Sequence, residues 1–211
     1  MAKPLPTSVR NHLTGLRILV LFTVVCGLAY PLLITGISQV AFSSQANGSL
    51  VKNAQGQVVG SSLIGQSFEI VSKDGKSASP DPKYFQSRPS AAGTGILGYD
   101  PTASAGTNLG TNSEVLVSDY TALKKSVAAF NGVSESQVPP DAITSSGSGL
   151  DPDISPQYAD IQVDRVAKAR GLSDSAVQAL VKKYTQGRDA GILGMPRVDV
   201  LNLNLALDEL K

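Results

Sequence analysis

Apolar positions follow three regimes along this chain. From Ile18 to Phe42 the sequence reads ILVLFTVVCGLAYPLLITGISQVAF without one charged side chain. Between residues 43 and 110 the apolar residues thin out among Gly, Ser, Asn and Pro, with strand-like stretches at Gln57-Val58-Val59 and Ser67–Val71. Lys73–Lys83 is polar, carries Pro80 and Pro82, and reads as a surface loop. From Asn112 the period becomes helical. Val115, Leu116, Leu123, Val127 and Phe130 recur near helical spacing and stop at Asn131-Gly132. Ser155-Pro156 offers an N-cap and a first-turn proline for a helix whose face carries Tyr158, Ile161, Arg165, Val166 and Ala169, with Gly171 at its end. Ser173 caps a third helix, with Val177, Leu180, Val181 and Tyr184 on one stripe and a stop at Gly187. The tail Arg197–Leu210 reads as a short strand, then a helix. The pattern predicts an α+β protein: one N-terminal transmembrane helix followed by a single mixed α+β extracytoplasmic domain.

The first regime is long enough to cross a bilayer. Twenty-five helical residues span roughly 37 Å against a hydrocarbon core of about 30 Å. Its Leu, Ile, Val and Phe side chains favour insertion by a ceiling on the order of 4 to 8 kcal/mol. Pro31 removes a backbone donor and predicts a kink after Tyr30. Thr23 and Gly27 form a small-xxx-small pair against which a partner helix can pack. A secretory signal with cleavage near Ser44-Gln45-Ala46 is the competing reading, but its apolar region runs only about 7–15 residues. Lys3, Arg10 and Arg17 precede the span, and the next basic residue is Lys52. The expected division is therefore a cytoplasmic tail (1–17), a membrane helix (18–42) and an extracytoplasmic domain (43–211) in a bacterial inner membrane.

Composition removes several functions. With 18 basic and 17 acidic residues, there is no global pull toward nucleic acid. Cys26 is the single cysteine and lies in the apolar run, so no intramolecular disulfide forms. His12 is the single histidine and falls across the membrane from Ser146, Ser148 and Asp151, which excludes a Ser-His-Asp triad. One His and one Cys supply too few ligands for zinc. Asp151-Pro-Asp153 lacks the rest of a calcium loop. Gly60–Ser67 is one residue short of a phosphate loop, because neutral Gln66 stands where the lysine belongs. Gly93–Gly98 matches GxGxxG without a flanking strand and helix, and Asn47-Gly48-Ser49 is a sequon in a chain with no eukaryotic secretory features. The residues identify no catalytic group, no metal site and no bound cofactor.

Several strings stand in order along the chain: Tyr30-Pro31-Leu32-Leu33, Gln45–Leu50, Gly60–Phe68 and Tyr84–Ala91, followed by Asn108-Leu109-Gly110, Ser145–Pro152 and Ile154-Ser155-Pro156. Arg165–Arg170 and Leu203–Asp208 complete the set. Together they resemble the C subunit (KdpC) of Kdp-type potassium-transporting ATPases. Residues 70–83 are longer than the family pattern. Asp153 stands where His is frequent, and Asp199 where Asn is frequent. The resemblance implies a non-catalytic accessory subunit of an ATP-driven potassium importer. Its implied partners are a potassium-conducting subunit and a P-type ATPase subunit, with a small single-helix subunit as a further candidate. ATP enters at the level of the complex, where the family is described as a catalytic chaperone that raises the nucleotide affinity of the ATPase subunit. Arg88, Asn108, Ser148 and Asp151 are the candidate partner contacts. The alternative is a stand-alone membrane-anchored enzyme or ligand-binding module.

Overall fold

The computed structural model describes residues 6–210; Lys3, used above to orient the chain, lies outside them. The chain divides into two compact units, one ending at Ser49 and one beginning at Leu50.

The first unit is a continuous helix followed by a single turn. Helix α1 (Thr7–Phe22) passes through a π-helical stretch (Thr23–Ala29) into α2 (Tyr30–Ala41), and the short α3 (Ser43–Ala46) follows. The whole helix, Thr7–Ala41, is long and apolar enough to cross a membrane, and none of it is buried within the protein. It begins eleven residues before the predicted Ile18, so Arg10, His12 and Arg17 lie on helix rather than on a tail. The break expected at Tyr30 takes the form of π winding. A proline ring presses on the carbonyl four residues back, which for Pro31 is Gly27, inside the widened turn. The Tyr30 N–H donates to the Val25 carbonyl, five residues back. Gln39, the one strongly polar residue of the span, is matched by Asn47, whose Nδ2 donates to Gln39 Oε1 at 3.0 Å.

The second unit is α+β, as its periodicity indicates. Two hairpins come first: β1 (Leu50–Lys52) with β2 (Val58–Ser61), and β3 (Glu69–Val71) with β4 (Ala78–Pro80). The Lys73–Lys83 segment is therefore partly strand, not loop throughout. Pro80 is tolerated because it sits at the end of a two-stranded edge, where a missing donor costs little. A long loop leads to α4 (Glu114–Asn131), capped by Ser113 and closed by Gly132 in the left-handed region. Two 3₁₀ turns and β5 (Asp153–Ile154) precede α5 (Pro156–Arg170), which Ser155 caps and Gly171 ends. Helix α6 (Asp174–Tyr184) is capped by Ser173 as expected, but stops before Gly187 because Thr185–Gln186 turns into strand β6. Strand β7 (Arg197–Asp199) and helix α7 (Val200–Glu209) complete the chain. β7 is central in the antiparallel sheet β5-β7-β6.

The core gathers Phe85, Val163, Val166, Val177, Val181, Val198, Leu203 and Leu207 from α5, α6, α7, β7 and one extended segment. That segment, Tyr84-Phe85-Gln86, belongs to no sheet, yet its backbone is buried and bonded. Phe85 N–H donates to Asn204 Oδ1 at 2.9 Å, and Asn204 Nδ2 donates to the Phe85 carbonyl at 3.0 Å. Gln86 N–H and carbonyl make the same reciprocal pair with the Gln162 amide, at 2.7 and 3.2 Å. Two side-chain amides thus supply the ladder that a neighbouring strand would supply. Arg165, also buried, donates to the carbonyls of Pro82 and Tyr84 at 2.7 and 3.0 Å, to Asn131 Oδ1 at 2.9 Å and to Gln162 Oε1 at 2.7 Å. Its guanidinium lies 4.4 Å from the Phe130 ring centroid. Burial lowers its pKa to about 10, so it stays charged at neutral pH. No buried side-chain N or O atom among the described residues lacks a partner.

Orphaning a buried backbone donor or acceptor costs about 1–3 kcal/mol. Asn204→Ala strands both groups of Phe85 and leaves a cavity, so it is expected to lower stability by about 3 kcal/mol or more. Urea denaturation of the full chain in detergent measures this, and Asn202→Ala, on the half-buried face of the same helix, is the comparison.

Candidate functional site

The four predicted contact residues fall on two long loops, 87–112 and 144–152. Arg88 Nη1 meets Asp151 Oδ2 at 2.8 Å, with the two side chains 21% and 30% exposed. The guanidinium also reaches the Thr144 carbonyl, at 3.3 Å from both Nε and Nη2. Asp151 Oδ1 accepts the Asp153 N–H at 3.0 Å. Arg88 and Asp151 therefore clasp the two loops, and the pair remains partly exposed. The Ser148 carbonyl accepts from Ala105 N–H at 3.0 Å and from the Ser104 hydroxyl at 2.9 Å, which makes it a second tie between the loops. Its own hydroxyl oxygen caps Leu150 N–H at 3.1 Å. Asn108 stands apart. It is exposed in the left-handed region (φ 53°), a conformation Asn tolerates.

Ser90 and Tyr99 lock the clasp from inside. The Ser90 hydroxyl donates to the Gly149 carbonyl at 2.6 Å and accepts from Tyr99 N–H at 2.9 Å, while the Tyr99 hydroxyl donates to the Arg88 carbonyl at 2.7 Å. Burial pushes the Tyr99 phenol up to about 12, so it remains a donor. Gly149 is required by geometry. Its φ is +67°, and an added Cβ would lie 2.6 Å from the Ala105 carbonyl oxygen.

A second ion pair adjoins the clasp. Arg197 on β7 reaches Asp153 at 3.3 Å and Asp189 at 3.6 Å. Burial pushes the Asp153 carboxyl up to about 6, with the charges of Asp151 and Asp199 adding to the rise and Arg197 opposing it. Burial likewise raises Asp199, although its carboxylate caps α7 through Asn202 N–H at 2.9 Å. Arg88 lines two clefts, one of about 390 Å³ toward Tyr99, Tyr158 and Phe130, and one of about 570 Å³ toward Asp141, Asp153 and Met195.

Neither glycine-rich string builds a nucleotide site. Gly60 lies in β2, no helix follows Gly65, and the Gln66 amide donates to the Val59 carbonyl at 2.7 Å. Gly93–Gly98 is loop, as expected. No group of three or more His, Cys, Asp or Glu positioned for a metal occurs among the described residues.

The sequence reading missed the polar scaffold. Gln86, Gln162, Asn204 and Arg170 were not singled out, and Arg165 was placed on a packing face without a polar role. Arg170 Nε donates to the Lys83 carbonyl at 2.6 Å, Nη2 pairs with Asp208 at 2.8 Å, and the guanidinium lies 4.6 Å from the Tyr84 ring centroid. The available signal was an uncharged amide or an arginine at an inward helical position, as Gln162 is between Ala159 and Val166.

Three of the ordered strings noted above are thus joined in the second unit: Tyr84–Ala91 is held by Arg165–Arg170 and by Leu203–Asp208. Comparison with known proteins gives the same answer over nearly the full length. Residues 12–209 match the family described as KdpC: K+-transporting ATPase, c chain. The chain belongs to the KdpC family. It is 50% identical to a potassium-transporting ATPase KdpC subunit of Streptomyces avermitilis over 205 residues, covering 93% of this chain and 92% of that one. A KdpC subunit of Caulobacter vibrioides is 50% identical over 189 residues, covering 89% and 87%. One from Streptomyces coelicolor is 46% identical over 219 positions, covering 100% and 97%.

Two outcomes follow for this KdpC-family site. Gly149→Ala combines a left-handed backbone with steric overlap and is expected to cost more than about 2 kcal/mol, read as a lower denaturation midpoint. Asp153 titrates near pH 6 when folded against 3.8 as its ordinary value, so the folded state binds the extra proton in between. Stability from this group therefore rises as pH falls from about 6 toward 4, and is lost again as pH rises through 6. Asp153→Asn is expected to melt higher than the parent at pH 7 and to gain less between pH 7 and 5.

Proposed function

We propose that this chain is the accessory, non-catalytic C subunit of a membrane complex that imports potassium with the energy of ATP. The observation that carries the reading is the family match from residue 12 to residue 209, which takes in most of the membrane-length helix and nearly all of the second unit. The expected partners are a potassium-conducting subunit and a P-type ATPase subunit, with a small single-helix subunit as a further candidate. Arg88, Asp151 and Ser148 are the proposed core of a partner contact, and Asn108 its outlying member. Thr23, Gly27 and Pro31 are the proposed contact face within the membrane.

The basic residues Arg10 and Arg17 precede the apolar run, and the next basic residue is Lys52. This asymmetry supports a cytoplasmic N-terminus, with residues from 43 onward outside the bacterial inner membrane. In that orientation the second unit never meets cytoplasmic ATP. The commitment of the Gln66 amide to the Val59 carbonyl agrees with a subunit that stabilises and couples its partners without holding nucleotide. The stand-alone alternative draws no support from a catalytic constellation among the described residues.

Deletion of this chain is expected to abolish high-affinity potassium uptake at micromolar external potassium, and the chain is expected to carry two large polytopic subunits through affinity purification in mild detergent. Unchanged uptake rejects the reading. Orientation is read independently: alkaline phosphatase fused after Lys211 is expected to be active, and a fluorescent protein that matures only inside the cell is expected to stay dark.

A further inference from the structure

The 187–196 segment presents three large apolar side chains to water within four residues. Ile192, Leu193 and Met195 are 76%, 61% and 69% exposed. The tip is rigid. Asp189 and Leu193 exchange both backbone hydrogen bonds at 2.9 Å, and Arg197 ties Asp189 to Asp153 at the base. An ordered tip of this kind gains nothing from facing solvent, and a contiguous exposed apolar patch marks an interaction surface.

The tip also forms one wall of the 570 Å³ cleft, where Met195 and Pro196 face Pro140, Ile154 and Pro156. The charged groups of that cleft are the carboxylates of Asp141, Asp151 and Asp153 against the guanidinium groups of Arg88 and Arg197. One negative charge is left over, so the cleft suits a cationic side chain. The composition of the tip argues against lipid. Interfacial loops use Trp, Tyr and Lys, and residues 189–196 contain none of them. Met and aliphatic side chains with a polar rim are instead the make-up of a protein interface.

We propose that the Gly191–Pro196 tip and the adjoining cleft dock onto another subunit of the same transport complex, against a segment presenting an apolar patch and a lysine or arginine. The proposal rests on the function proposed above and names the surface through which it works. Tip side chains fill a depression on the partner while its cation enters the cleft beside Asp141 and Asp153.

Two measurements on the full chain test it. Leu193→Asp/Met195→Asp places charge at exposed positions, so its melting is expected to match the parent, while recovery of the other subunits in affinity purification falls at least about tenfold. Undiminished recovery by this variant overturns the surface and leaves the proposed function standing. A parent chain that recovers no transport subunit overturns both. Should the variant melt early, a second measurement decides: Ile192→Cys in a Cys26→Ser background carries an environment-sensitive dye in reconstituted vesicles. Its emission is expected to shift blue only when the other subunits are present. A shift in vesicles holding this chain alone assigns the tip to lipid and overturns the proposal, as does no shift in the complete complex.

Discussion

A buried extended segment must have its peptide groups bonded, since an unpaired one costs as much as a lost hydrogen bond or more. Tyr84-Phe85-Gln86 runs through the interior of the second unit without a neighbouring strand. The Asn204 and Gln162 amides replace that strand, and Arg165 collects the carbonyls of Pro82 and Tyr84. The arrangement requires α5, α7 and the segment to arrive together, because each amide bonds both faces of one residue. Any slip along the segment would unmake all four bonds at once, which fixes its register.

The functional loops inherit their position from that fixed register. Arg88 follows Phe85 by three residues, so its guanidinium is delivered to Asp151 by the same segment that fills the core. The strand β7 does the equivalent for the second ion pair. Val198 is fully buried in the sheet, and its neighbour Arg197 consequently projects toward Asp153 and Asp189. Sites built from long loops are usually mobile. Here the Arg88–Asp151 pair, the Ser90 hydroxyl and the Tyr99 hydroxyl hold the long loop 87–112 and tie it to the shorter loop 144–152.

The membrane helix follows a different rule. In hydrocarbon every backbone group must be satisfied within the segment, so a proline is accommodated by changing the winding. The π turn from Thr23 to Ala29 places the widened carbonyl ring beneath Pro31, and it covers both Thr23 and Gly27. The proposed helix-contact face therefore lies on the irregular stretch. π turns concentrate at functional positions because their geometry costs stability that a regular helix retains.

Local pattern by itself determined the membrane-length helix, the caps at Ser155 and Ser173, the glycine stops after α4 and α5, and the strand-then-helix tail. Each of these depends on neighbours a few residues apart. It also showed too few histidines and cysteines for a zinc site and no lysine in the glycine-rich string, because missing residue types are visible without a fold. Of the β3–β4 hairpin only β3 was legible; β4 was not, since the turn is polar and Pro80 argues against a strand unless its edge position is known. The partners of Arg88, Arg165, Gln162 and Asn204 were decided only by tertiary structure. Apart from the Arg165–Gln162 bond within α5, these partners lie 34 to 119 residues away along the chain, and no periodicity encodes which distant backbone group a buried amide will meet.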